Sequence, residues 1–316
     1  MPPLVLFGLG LSAAVPSVTG TALKSAPPEY AGVASAVNNT VARLCGDSAP
    51  VSSAWTDRNN GYVTTQFYDG AVYPDGATFF GGLQDNGTQR GTTGGLTWST
   101  LRGGDGGYVA VNTLGDAVAG NDVLFLENTG LSIARSTNGG SSFSSITTGI
   151  TNSGFLFITP FTMNQGNKQQ LWIGGRNLWR TINQGTAWTQ ASAGMPGAGS
   201  VSAIAVHPLD GNRVIAGMSA GQIAFSTTAL STTSATSWSF TSPSANYVSW
   251  VTWDPNDVNV AYATVSGFGV TNLFKSINGG ATWTASVGSG GTALPQIPAL
   301  SVVVNPGDSQ QVFVGT

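Results

Sequence analysis

Two carboxylates sit in loops that could present them for chemistry: Asp85 in Gln84-Asp85-Asn86-Gly87, and Asp105 in Gly103-Gly104-Asp105-Gly106-Gly107. A third, Glu127, falls in the loop after the apolar run Val123-Leu-Phe-Leu, and Arg176-Asn177 falls in the loop after the similar run Gln170-Leu-Trp-Ile-Gly-Gly. Two carboxyl groups facing each other across a groove are the minimum for cleaving a glycosidic bond, one as acid and one as nucleophile or base. Asp85 and Asp105 form the first such pair, with Glu127 as the alternative partner. Gln84, Asn86, Arg176 and Asn177 are the polar residues best placed to hold a ligand beside them. Short polar residues with glycine also build tight turns, so a purely conformational role for Gln-Asp-Asn-Gly and Gly-Gly-Asp-Gly-Gly competes with the chemical one. The single histidine, His207, ends an apolar strand at a position where other parts of the chain carry Tyr73, Asp254 or Asn305. With one His and one Cys, Cys45, no transition-metal centre is expected, and no cofactor is implied.

What positions these residues is a repeat. Ser136-Thr-Asn-Gly-Gly-Ser-Ser-Phe143, Thr181-Ile-Asn-Gln-Gly-Thr-Ala-Trp188 and Ser276-Ile-Asn-Gly-Gly-Ala-Thr-Trp283 share one pattern, and Gly91 to Trp98 is a degenerate copy. The closing aromatics Trp98, Phe143, Trp188, Trp238 and Trp283 are spaced by 45, 45, 50 and 45 residues, the long interval coinciding with a Ser/Thr-rich insertion at Leu230 to Ser237. Asn138, Asn183 and Asn278 supply turn conformations with glycine and can hydrogen-bond the turn backbone. A second series places Pro/Asp/Gly turns at Pro74-Asp75, Pro208-Leu-Asp210, Pro255-Asn-Asp257 and Pro306-Gly-Asp308, with a looser copy ending at Asp116. Each is followed by an apolar strand. Four strands per repeat predicts an all-β propeller. Its blades fall at 66-107, 108-152, 153-197, 198-244 and 245-290, followed by the opening strands of a sixth, giving an incomplete or open ring. In such a blade the Asn turns and Pro/Asp turns share one face. Asp85, Asp105, Glu127 and Arg176 fall on the other.

The repeated turn resembles the Asp-box, or BNR, motif of sialidases, xyloglucanase-type glycoside hydrolases and non-enzymatic propellers, with Asn in place of the Asp. The stretch Phe79 to Thr88 followed by Gly-Gly-Asp-Gly-Gly resembles bacterial BNR-repeat proteins described as glycosyl hydrolases. The resemblance implies a binding module for polysaccharide or protein, or a glycoside hydrolase, placed outside the cell or on its surface. The Phe-Arg-Ile-Pro motif of sialidases and the Arg-Thr-Asp-Val-Gly-Gly run of xyloglucanases are both missing. Tyr247, Trp250 and Trp253 could put one ring on a sugar, with core packing the competing fate.

The first 46 residues do not belong to this pattern. Pro2 to Leu23 has no charged residue and is long enough to span a bilayer. Ala26-Pro27-Pro28-Glu29, Ala31-Gly32-Val33-Ala34-Ser35 and Arg43 resemble a loop and helix start of major facilitator drug-efflux transporters. Residues 1-46 therefore read as a short helical, transporter-like fragment joined to an unrelated frame, with a membrane anchor as the minority alternative. Residues 47-65 form a linker and lead-in strand, and 66-316 the propeller. Any membrane contact would run through residues 2-23. A net charge of -3 with only 8% charged residues argues against a nucleic-acid partner.

Overall fold

The computed structural model describes residues 65–316 apart from 74–75, 93–97, 114–121, 152–153, 198 and 291–292. The transporter-like segment, the linker up to residue 64, Asp75, Asp116 and most of the degenerate Gly91 to Trp98 turn lie outside the described residues. Phe67–Thr316 forms one compact unit.

Five antiparallel sheets of four strands follow one another along the chain. The first holds β1 (Phe67–Val72), β2 (Thr78–Leu83), β3 (Gly87–Thr92) and β4 (Ser99–Arg102); the second β5 (Val109–Asn112), β6 (Val123–Glu127), β7 (Ile133–Ser136) and β8 (Ser144–Ser145). The third holds β9 (Phe161–Met163), β10 (Leu171–Gly174), β11 (Leu178–Thr181) and β12 (Thr189–Gln190). The fourth holds β13 (Val201–His207), β14 (Asp210–Met218), β15 (Ile223–Ser226) and β16 (Ser239–Thr241); the fifth β17 (Val248–Trp253), β18 (Ala261–Val265), β19 (Leu273–Ser276) and β20 (Thr284–Ala285). A sixth sheet pairs β21 (Ser301–Asn305) with β22 (Asp308–Gly315). This matches the expected five blades and the opening of another. A 3-10 turn lies at Ala229–Ser231, at the edge of the insertion that lengthens the fourth repeat.

Burial explains why second strands read as continuous apolar runs. β6 and β18 are buried at every residue because each sheet is covered on both faces by its neighbours, whereas the short outer strands β8 and β20 are exposed. The core is accordingly a series of layers between successive blades. Tyr73 and Phe80 pack against Leu124 and Leu126, Phe125 against Phe161 and Leu171, Trp172 against Val214 and Ala216, and Ile215 against Val248 and Val251. The closing aromatics Phe143, Trp188, Trp238 and Trp283 join these interblade layers. The Trp188 indole N–H donates to the Ile146 carbonyl and that of Trp238 to the Ala191 carbonyl, each in the preceding blade, at 2.5 and 2.9 Å. Trp98 is 44% exposed and lies over Gly91.

Arginines that the repeat hides in its third strands tie blades in the other direction. The guanidiniums of Arg90, Arg135 and Arg180 donate to the carbonyls of Gly139, Gln184 and Thr232 in the following blade, at 3.0, 2.8 and 2.7 Å.

The Asn turns act as scaffold. Asn183 Oδ1 accepts the Thr181 hydroxyl at 2.8 Å and the Ala187 N–H at 2.9 Å; Asn138 and Asn278 make the same pair of bonds, to Ser136 and Ser142 and to Ser276 and Thr282. Both bonds land on an acceptor oxygen, which a carboxylate also supplies. Asn183→Ala is therefore expected to cost about 1–2 kcal/mol in urea denaturation, whereas Asn183→Asp stays within about 0.5 kcal/mol of the parent. Asp210, Asp257 and Asp308 accept the N–H two residues ahead, from Asn212, Asn259 and Gln310, as turn formers do.

Candidate functional site

On the face opposite the Asn turns, the chain leading from β4 to β5 runs beside the β2–β3 turn. Asp105 forms a parallel bridge with Gly87, and its Oδ1 accepts the Asp85 N–H at 2.9 Å. Asp85 takes a left-handed φ of 60° to make this approach. The two predicted partners are thus brought together, with one carboxylate engaged on the other residue's backbone. Asp85 and Asn86 are exposed and Gln84 and Asp105 half-buried. The Asn86 amide donates back to the Gln84 carbonyl at 2.9 Å. Arg176 is exposed and donates to the Gly199 carbonyl at 3.1 Å; Asn177 donates to the Ser192 carbonyl at 3.4 Å. Both hold connecting segments further round the ring.

The segment can come this close only because it is glycine. A Cβ on Gly82 would stand 1.8 Å from the Gly107 carbonyl oxygen, and one on Gly106 would stand 2.3 Å from the Gly87 oxygen.

Glu127 is different in kind. Counted from the pairing of each second strand with the first residue of its turn motif, Glu127 occupies the register of Gly82, Gly174 and Gly217. In the third and fourth blades that glycine receives Val201 or Val248 of the next blade, and a Cβ there would meet the valine at 2.4 Å. The second blade instead places a carboxyl group between blades, 0% exposed. Its Oε2 accepts the Tyr108 N–H at 3.2 Å and its Oε1 the Thr159 N–H at 3.1 Å. Burial pushes Glu127 up to about 9, against the opposite pull of those two N–H donors.

The residues that sequence reasoning missed stand next to it. Asp69, third in β1, accepts the Val109 N–H on Oδ2 at 3.0 Å, and burial pushes it up to about 6. Burial, reinforced by Tyr247, Asp69 and Glu127, holds the Tyr108 phenol well above its ordinary range. Asp69 had a legible signal: it is the one charged residue among the first strands of the six sheets, and a charge inside a core strand needs a reason. Tyr108 had none, since an aromatic at a strand start reads as core.

These groups border a cavity of about 290 Å³ framed by β1, β5, β9, β13 and β17, the first strands of five successive blades. Irregular registers at Phe67/Asp69, Val201/Ala203 and Val248/Trp250 bend three of these strands near their starts. Trp253 is buried at 4% exposure, whereas Trp250, three residues earlier and so on the other side of the strand, faces the cavity. The Tyr108 and Trp250 rings lie nearly parallel at 17° with centroids 6.1 Å apart, and Phe161 meets Tyr108 edge-on at 6.3 Å.

His207 is fully buried at the end of β13, where its Nδ1 accepts the Leu209 N–H at 3.1 Å and its ring meets Trp253 at 5.4 Å. Burial lowers its pKa, so the folded state resists the proton that the unfolded chain accepts below pH about 6.5. Its stabilising contribution is complete above that value and is lost as pH falls. His207→Gln is expected to be less stable than the parent at pH 7, with the deficit shrinking toward pH 5 in paired urea titrations.

Four-stranded sheets succeeding one another around a cavity framed by their first strands define a β-propeller. No family model matches the sequence, and no curated protein matches it. Solved structures do. An ancestral GH74 enzyme is similar over 77% of this chain, with a TM-score of 0.57 and 16% identity; the chain spans 33% of that enzyme's length. YCF48 from Cyanidioschyzon merolae is similar over 79% of this chain and 92% of its own, with a TM-score of 0.56 and 14% identity. A chain of the mitotic checkpoint complex is similar over 83% of this chain and 73% of its own, with a TM-score of 0.58 and 16% identity. At these identities the likeness is one of fold.

Proposed function

We propose that the chain is an Asp-box-type propeller module that binds a glycan or protein ligand on the face carrying Asp85, Asp105 and the cavity mouth, and acts outside the cell or on its surface. The observation that carries this reading is the engagement of the carboxylates: Asp105 accepts the Asp85 N–H, and both oxygens of Glu127 accept backbone N–H groups. Carboxylates used in this way order loops and blades, while the half-buried Trp250 borders the cavity where a ligand would sit. The Ser/Thr-x-Asn turns support the Asp-box assignment, because Asn performs the two-acceptor role that the motif requires. The test is affinity electrophoresis of the full chain through a panel of neutral and acidic polysaccharides, alongside calorimetric titration with soluble oligosaccharides and peptides. Retardation on at least one ligand, reduced by Trp250→Leu, is the expected outcome; migration unchanged across the panel and flat titrations would reject the reading.

One observation favours glycoside hydrolysis as the second reading. A carboxyl group held protonated at neutral pH is what a general acid requires, and Glu127 meets that condition. Under this reading Glu127→Gln and Asp85→Asn each lower release of reducing ends from a glycan panel by at least about 100-fold. Release unaffected by either substitution would remove it.

A further inference from the structure

The cavity pairs an acid with aromatic walls and lacks a counter-charge. Asp69 contributes its carboxyl group, and Tyr108, Phe161 and Trp250 contribute rings, while none of the residues lining the cavity is basic. Arg213 pairs with Asp210 at 3.4 Å, and neither residue lines this cavity. The half-buried carboxylate has backbone N–H groups, those of Val109 and Gly70, as its partners. Two near-parallel rings present a negative face to a cation lying within about 6 Å of a centroid. Such a cation would complete the charge that Asp69 leaves open.

We infer that the cavity is a binding site for a monovalent organic cation, an alkylammonium or guanidinium group, seated against the Asp69 carboxylate and the Tyr108 and Trp250 rings. The proposal rests on the ligand-binding reading above and names the group that the ligand presents. A free amine and a Lys or Arg side chain of a partner share this chemistry.

Binding a cation favours ionised Asp69, which burial disfavours in the free protein. The groups facing Asp69 are the Val109 and Gly70 N–H groups, the Tyr108 and Tyr247 phenols and the Glu127 carboxyl, none of them cationic. Binding should therefore release a proton when the free protein is below pH about 6 and release little from Asp69 at pH 8.

The experiment titrates the full chain by calorimetry with n-butylammonium chloride, methylguanidinium chloride and the peptide Gly-Lys-Gly, at pH 5.5 and 8, in buffers of different ionisation enthalpy. Asp69→Asn keeps an acceptor oxygen for the Val109 N–H and so preserves the fold. It is expected to weaken binding at least 10-fold and to abolish the buffer-dependent proton release at pH 5.5. Trp250→Leu weakens binding at least 5-fold, whereas Asp308→Asn, a carboxylate in a remote turn, leaves affinity within 2-fold. Binding of the peptide with little binding of the free cations places the cation on a protein partner and supports the proposal. Equal affinity of the parent and Asp69→Asn overturns it, as does the absence of binding by all three probes. If a neutral oligosaccharide binds and the cations do not, this inference falls and the binding module stands; if nothing binds, both fall.

Discussion

Glu127→Gln is expected to be more stable than the parent at pH 8 and to flatten its decline in stability with pH. The folded protein holds the Glu127 proton up to about 9, whereas in the unfolded chain the group loses it near its ordinary value of 4.5. Between those values the folded state binds more protons than the unfolded state, so stability is full below pH about 4.5 and falls as pH rises toward 9. The slope approaches about 1.4 kcal/mol per pH unit in the middle of that window. Asp69 adds to it only between its ordinary value of 3.8 and about 6. A glutamine keeps an acceptor for one of the two N–H donors and carries no charge to desolvate. Its advantage over the parent should grow by several kcal/mol from pH 5 to pH 8 in urea denaturation. Parallel curves for the two proteins would show that Glu127 is solvated and ionised in the fold.

The second large effect concerns Gly107, whose added Cβ would stand 1.5 Å from Glu127 Oε2 and 3.3 Å from Ile158 Cγ2. Gly107→Ala should destabilise the protein by more than about 4 kcal/mol, since a buried carboxyl tied to two N–H groups has nowhere to move. The second blade would return to the glycine of its neighbours with Glu127→Gly. That substitution alone costs stability by orphaning the Tyr108 and Thr159 N–H groups, but it removes the atom that Gly107→Ala would strike. The double variant should therefore be more stable than the sum of the single changes allows, with a coupling of about 2 kcal/mol or more. Additive losses would mean that the steric limit lies in the backbone and not in the carboxyl group.

Much of the scaffold was legible because its demands are local. An Asn-Gly turn closes within eight residues, and a run such as Val123-Leu-Phe-Leu can only be a strand covered on both faces, so Phe143, Trp188 and Trp283 announced the blades. The aromatics proved less local than their motif: Trp188 and Trp238 reach carbonyls of the preceding blade, and Arg90, Arg135 and Arg180 reach the following one. Such partners lie roughly one repeat away in sequence. A repeat pattern shows that the residue recurs without showing what it touches.

The candidate site divides along the same line. Asp85 and Asp105 were visible because glycine-rich loops frame them, and the structure brings them together through a backbone N–H. Glu127 was visible as a carboxylate expected in a loop, but it is the last residue of β6 and fully buried between blades. Asp69, Tyr108 and Trp250 come from three separate blades, and only the closing-in of first strands makes them neighbours.

By itself the sequence determined the blade count, the face each loop occupies and the turn role of Asn138, Asn183 and Asn278, because strand alternation and turn chemistry act over a few residues. Only the tertiary structure decided which acids are drawn out of water. Desolvation depends on what packs over a side chain, and here that is supplied by other blades.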